Sequence, residues 1–152
     1  AKLDPRDAVT ERQIVLSTEI MKDGTQMSLM NGKSWRDPVS ERVKLGTSEV
    51  WSLVNTTIDV HPFHMHLVNF QVLDRTPFNV EEYNKSGRII YTGPTEIADP
   101  NEQGWKDVAR ATPGMVTRVI MKFDSFAGHY IYHCHILEHE DMDMMRPFEI
   151  LK

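Results

Sequence analysis

The apolar residues of this chain come in runs of only a few, and each run is cut off by a turn signal before it reaches the length of an ordinary helix. Ile14-Val15-Leu16 and Met27-Ser28-Leu29-Met30 flank Lys22-Asp23-Gly24-Thr25, and Asn31-Gly32 comes next. Asp-Gly and Asn-Gly supply the positive φ that tight hairpin turns need, so the segment predicts a β-hairpin. Arg36-Asp37-Pro38 is a further turn, leading to Val43-Lys44-Leu45-Gly46 and the run Val50-Trp51-Ser52-Leu53-Val54. Leu67 to Leu73 predicts a strand with Val68, Phe70 and Val72 on one face and Asn69 and Gln71 on the other. Pro113-Gly114 opens another, with Met115, Val119, Met121 and Phe123 on one face and Arg118 and Lys122 on the other. Ile136 to Met145 predicts a short helical turn, and Phe148-Glu149-Ile150-Leu151 a closing strand. Residues 75–106 hold Pro77, Gly87, Gly93, Pro94, Pro100 and Gly104 and predict a long irregular excursion with one short helix near Val80–Asn84. Loops that long inside a compact domain are uncommon and often functional. Many short strands with little helix point to an all-β sandwich or barrel. Residues 1–12, with mixed charges and Pro5, are expected to be an arm or linker, and 13–152 a single domain.

Composition narrows the function classes. The 152 residues suffice for one domain of ordinary size. Seventeen Lys and Arg against twenty-two Asp and Glu give a net charge of −5, which lacks the basic surplus of a nucleic-acid binder. No apolar stretch is long enough to span a bilayer as a helix. The start, Ala1-Lys2-Leu3-Asp4-Pro5, has neither the basic nor the apolar region of a secretory signal and no initiator Met, so the true N-terminus is expected upstream. A single cysteine rules out an internal disulfide framework. Nine methionines are many for this length, and six of the seven histidines fall into two short windows.

Those windows carry the chemistry. In an extended strand, neighbouring side chains point to opposite faces. Within His133-Cys134-His135, Cys134 therefore shares a face with Tyr130, Tyr132 and Ile136, while His133 and His135 share the other. The three cannot easily close around one ion, but they can serve two metal centres on the two sides of one strand. His139 comes five residues after Cys134, and Met144 five after that. A thiolate, an imidazole and a thioether on one turning loop make most of a blue-copper site, whose usual set is two His, one Cys and a weak axial Met. His61 can supply the missing imidazole, with Pro62 interrupting the strand ladder and letting it face differently from His64 and His66. His64 and His66, two apart, share one face, and with His133 and His135 they would make half of a polynuclear centre.

Simpler readings compete. A lone Cys is usually an inert buried thiol. Cys plus three His is also a legitimate tetrahedral zinc set, although the opposite-face argument counts against it. His129 stands apart and reads as an ordinary surface histidine, and Met21, Met27 and Met30 read as hairpin core. Met142 and Met145 flank Met144. The run Glu138, Glu140, Asp141 and Asp143 would ordinarily be a solvated face, but beside a dioxygen site one carboxylate can relay protons. Gly104-Trp105-Lys106-Asp107 is expected to close a loop onto a strand.

His61-Pro62-x-His64-x-His66, together with His133-Cys134-His135, His139 and Met144, resembles the C-terminal copper signature of multicopper oxidases. The nearest likeness is to the bacterial spore-coat laccase and bilirubin-oxidase-like group. It extends through Trp35-Arg36-Asp37-Pro38-Val39, Val68 to Arg75, Tyr91-Thr92-Gly93-Pro94, Gly104 to Asp107 and His133 to Asp141. The resemblance implies a cupredoxin-like Greek-key β-barrel, the third domain of such an oxidase. His61, Cys134, His139 and axial Met144 would then hold type 1 copper, His64 the type 2 ion, and His66, His133 and His135 the type 3 pair. It further implies electron entry at His139, transfer through Cys134 and proton relay by Glu140. The family's other four trinuclear histidines lie in two His-x-His motifs of an N-terminal portion. No His-x-His pair is left here for them. That portion is the expected partner, with dioxygen and a small aromatic reductant as substrates, a low-to-moderate potential set by axial Met144, and a spore-coat or other extracytoplasmic location. Two rivals remain at this point: a stand-alone type 1 copper electron carrier, and an oxidase of metal ions such as cuprous copper. Residues 75–106 contain no Met, against the Met-rich loop that the second would favour.

Overall fold

In the computed structural model, which describes residues 2–20, 22–24, 26–34, 36–134 and 145–152, the hairpin signals act as expected. Strand β1 (Ala8–Ile20) pairs antiparallel with β2 (Gln26–Met30), and Gly24 takes a φ of 85° in the turn. Asn31 and Gly32 both have positive φ, 55° and 67°, and close a second tight turn across which Met30 and Lys33 exchange backbone hydrogen bonds. Nine further strands lie among the described residues: β3 (Glu41–Lys44), β4 (Ser48–Asn55), β5 (His61–Met65), β6 (Phe70–Pro77), β7 (Glu96–Ile97), β8 (Val108–Ala111), β9 (Met115–Lys122), β10 (Gly128–Cys134) and β11 (Met145–Leu151). One sheet runs β2-β1-β4-β9-β6-β7 and the other β3-β11-β10-β5-β8. The β1/β4 and β11/β3 pairs are parallel, and the remaining pairs are antiparallel. This is the all-β sandwich that the turn spacing predicts.

The core lies between the sheets, and Trp51 from the first sheet joins it to the second. Its ring meets Tyr132 edge-on at 5.3 Å and Phe148 at 6.2 Å. The buried indole N–H donates to Glu49 at 3.0 Å, and Glu49, itself buried, is paired with Arg12 at 2.6 Å. Burying a carboxylate without such partners would be costly. Met30 is part of this core, as expected of the hairpin, and Met27 is half-buried.

Four expectations change. Residues 8–12, part of the predicted arm, already run as strand against β4. The predicted strand over residues 67–73 is instead a corner and the start of β6. Leu67 adopts a φ of 70°, which turns the chain out of the β5 sheet, and β6 begins at Phe70 in the other sheet. Gln71 is buried alongside Phe70 and Val72 because the backbone N–H of Leu3 caps its side-chain oxygen at 2.7 Å. The excursion over 75–106 is less irregular than predicted. It holds the end of β6, helix α1 (Val80–Ser86), capped by Asn79 and ended by Gly87 at φ 74°, and the short β7. The closing strand starts earlier than predicted, at Met145. The helical turn expected over residues 136–145 lies, up to residue 144, outside the described residues. Among the described residues no helix is long and apolar enough to cross a membrane.

Two charged clamps pin the loops around the future site. Fully buried Arg146, at the start of β11, donates to the carbonyls of Ser34, Asp37 and Pro38 at 2.7–2.8 Å and to the Ser40 hydroxyl at 3.1 Å. Glu41 beside it accepts from Asn31 and from the Ser40 hydroxyl. Replacing Arg146 by Met would leave those carbonyls without their donor, and we expect a loss of about 2–4 kcal/mol in urea unfolding; a change below about 0.5 kcal/mol would contradict this role. The second clamp joins β6 to the 98–107 loop, with Arg75 making a two-pronged contact to Glu102 at 2.8 and 2.6 Å. Hydrogen bonds from Arg75 hold the Glu102 carboxyl below its ordinary value of 4.5. A carboxyl lowered by folding contributes stability that is present above the unfolded pKa and is lost as pH falls through the folded one. Glu102→Gln should therefore flatten the loss of stability below pH 4.5, as read by unfolding at a series of acid pH values, and an acid limb as steep as in the parent would refute the assignment.

Candidate metal centre

Strand β5 lies between β10 and β8, and its register decides where each donor points. His64 faces His133 across the β5/β10 pair, Phe63 faces Cys134, and Met65 faces Tyr132. Side chains alternate, so His61, Phe63 and Met65 turn into the sandwich while Pro62 and His64 turn outward. On β10, Tyr132 and Cys134 turn inward and His133 outward. Pro62 does not break the ladder as the sequence suggests, because β5 continues through it, with Pro62 opposite Arg110 of β8. His61 faces away from His64 simply because the two are three residues apart.

On the inner side, His61 Nδ1 lies 3.2 Å from the Cys134 Sγ, and both residues are about 1% exposed. The other ring nitrogen, Nε2, lies 2.8 Å from the Thr57 hydroxyl. Tyr132, two residues before Cys134, is fully buried, and burial first, then the Glu41 carboxylate, pushes its phenol well above the ordinary 10.0, so it stays neutral.

On the outer side, His64, His66 and His133 converge. Their ring centroids are 5.0–5.2 Å apart, one nitrogen of each lies within 4.8 Å of the others, and His66 Nε2 is 3.3 Å from His133 Nε2. Backbone carbonyls orient two of the rings. His64 Nδ1 faces the Asp107 carbonyl at 2.9 Å and His133 Nδ1 that of Cys134 at 3.3 Å. A carbonyl oxygen only accepts, so each Nδ1 carries its hydrogen and each Nε2 presents a lone pair to the cluster. The Asp107 carbonyl is itself placed by Lys106, which exchanges backbone hydrogen bonds with Phe70 at 2.7 Å each way. The 104–107 stretch thus closes onto a strand as expected, and the long excursion ends by orienting a site residue.

This arrangement fits two separate metal sites. A thiol and an imidazole nitrogen in contact make a soft donor pair, and three converging imidazoles suit a first-row transition ion such as copper. Among the described residues, Cys134 and the outward histidines lie on opposite faces of the sheet, so they cannot form a single zinc tetrahedron. His135, His139, Glu140 and Met144 lie outside the described residues, as do Met21 and Met142. β10 and β11 pair directly, with His133 opposite Met145. His129 is away from both sites, near Glu149 at 3.7 Å. Sequence reasoning missed the Asp107 carbonyl, which no side-chain pattern announces, and also Asn55 and Thr57. The Asn-Thr-Thr run after a buried strand is the available signal for the last two.

Comparison with known proteins gives the family. The family described as "Multicopper oxidase" matches residues 8–152. The chain is 51% identical over 127 residues to a laccase of Bacillus subtilis (strain 168), covering 84% of this chain and 25% of that protein. With a laccase of Bacillus stratosphericus it shares 47% over 150 residues, covering 99% of this chain and 29% of that one. Among solved structures, the multicopper oxidase from Campylobacter jejuni, described as a metallo-oxidase, superposes with a TM-score of 0.77 at 28% identity, over 95% of this chain and 30% of that one. A laccase from Pediococcus acidilactici superposes with a TM-score of 0.71 at 30% identity, over 99% and 28%. The sandwich is thus cupredoxin-like, and the chain spans between a quarter and a third of the length of each of these proteins. With its donors divided between the two faces of one sheet and a family match over nearly its whole length, the chain belongs to the copper-dependent multicopper oxidase family.

Proposed function

We propose that this chain is the part of a laccase-type oxidase that holds the type 1 copper and supplies half of the ligands of a trinuclear copper site. In this reading His61, Cys134, His139 and Met144 are the type 1 ligands, His64 binds the type 2 ion, and His66, His133 and His135 bind the type 3 pair. The observation that carries it is the contact of His61 with Cys134 on one face while His64, His66 and His133 gather on the other. Bound copper would supply one-electron oxidation of a phenolic or similar reductant and four-electron reduction of dioxygen to water. The residues of the chain do the rest. Cys134 and His133 are neighbours in sequence, so a few covalent bonds separate the two donor sets. The packed aromatic core behind Cys134 keeps water from the sulfur side, and His139 is the entry point for electrons from the reductant. Glu140 is the carboxylate that relays the protons consumed in making water.

The four imidazoles of His64, His66, His133 and His135 cannot fill the coordination of three ions. The remaining four histidines come, in this reading, from an N-terminal portion of the same oxidase, in keeping with the share of the Bacillus laccases that the chain spans. A stand-alone type 1 carrier would have no use for the outward cluster. Oxidation of cuprous ions is the other rival, and the absence of Met from residues 75–106 disfavours it.

The test is a copper count on the complete enzyme together with Cys134→Ser. We expect about four coppers in the parent and about three in the variant, with the intense blue band lost. A band that persists in Cys134→Ser, or a parent holding about one copper, would overturn the assignment. Rates with a phenol against rates with cuprous ion then separate the two oxidase readings.

A further inference from the structure

Between β4 and β5 lies a hydrogen-bonded relay that the copper ligands themselves do not explain. Asn55, the last residue of β4, is fully buried. Its side-chain Nδ2 donates to the carbonyls of Asp59 and Ala111, both at 2.9 Å. Carbonyls only accept, so the amide can point one way only, and its Oδ1 must face Thr57. There it accepts the Thr57 backbone N–H at 2.9 Å and lies 2.7 Å from the Thr57 hydroxyl. An oxygen–oxygen contact of 2.7 Å needs a hydrogen between the two atoms, and the Asn55 Oδ1 has none to give, so the Thr57 hydroxyl proton lies on that contact and is directed away from His61. What Thr57 offers the imidazole is a lone pair, and His61 Nε2 stands 2.8 Å from it.

From this we propose that Thr57, oriented by Asn55, fixes the tautomer of His61 and so selects the nitrogen that meets the metal. Nε2 carries the hydrogen. A neutral imidazole has only one, so Nδ1 holds the lone pair, and Nδ1 is the nitrogen 3.2 Å from the Cys134 sulfur. The outward rings of His64 and His133 are set by carbonyls in the opposite sense, so that the lone pair is on Nε2. The two faces of the sheet therefore present different nitrogens of the same side chain type, each chosen by a neighbouring group. Thr57 touches the ligand and not the ion, so it is a positioning residue. Such partners of metal-bound histidines commonly change metal affinity by about 10–100-fold when removed.

The inference rests on His61 being a type 1 ligand, and the experiment separates the two claims. In the metal-free full-length enzyme, histidine-selective nitrogen-15 spectra should show His61 with hydrogen on Nε2 in the parent and in Thr57→Ser, and a mixture of tautomers in Thr57→Val. In the copper-loaded enzyme, Thr57→Val should lose its blue band to a copper chelator about 10-fold or more faster than the parent. Thr57→Ser should restore the parent rate, and the type 2 electron paramagnetic resonance signal should stay unchanged throughout. A parent His61 with its hydrogen on Nδ1, or a Thr57→Val enzyme that keeps both the parent tautomer and the parent rate, would overturn the role of Thr57. His61→Ala is the separate control. Retention of its blue band would sink the ligand assignment, and the nitrogen spectra of the metal-free enzyme would still decide the claim about Thr57.

Discussion

A pleated sheet gives each strand two chemically independent faces, and here the pairing of β5 with β10 puts that to use. His64 stands opposite His133, and Phe63 stands opposite Cys134. Everything about the site depends on that register. A slip of one residue would carry the sulfur into the imidazole cluster and the imidazoles into the core. The register is held from both sides, because β8 binds the other edge of β5 and β11 the other edge of β10.

The packing behind the strands reinforces the same alignment. Tyr132 and Phe63, which precede and oppose Cys134, lie against each other at 5.7 Å, and Tyr132 also abuts Trp51. Aromatic contacts of this kind leave little room for a strand to shift, since a close-packed interior penalises even small changes of shape. The buried charges of Glu49 and Arg146 have hydrogen-bonding partners. Glu49 is held by Arg12 and the Trp51 indole, and Arg146 is wrapped by loop carbonyls. Arg146 lies near the start of β11, so its grip on Ser34, Asp37, Pro38 and Ser40 ties that strand to the 34–40 loop.

Much of this is visible in the residues alone. Hairpin turns at Asp23-Gly24 and Asn31-Gly32, the helix after Asn79 and the division of donors around Cys134 all arise from local rules of turn chemistry and alternation. The failures have a common cause. Leu67 turns the chain between two sheets, and nothing in a leucine signals a left-handed corner. Pro62 reads as a break but is tolerated inside a ladder, opposite Arg110. The Asp107 carbonyl orients His64 through the main chain, which has no sequence identity to read. Asn55 and Thr57 become legible only once the fold brings β4 and the β5 entry together. Local signals show how neighbouring donors divide between the faces of a strand, whereas the groups that aim them are assembled by tertiary contact.

The corner at Leu67 has one further consequence. Because the chain leaves the β5 sheet there and enters the opposite one, His64 and His66 sit at the end of β5 rather than in its middle. Positions at a strand end and on an outer face disturb the interior less when exchanged, whereas His61 and Cys134 are buried, each about 1% exposed. The two donor sets can therefore change separately on one frame, the outer one at the strand end with less disturbance of the core than the inner one.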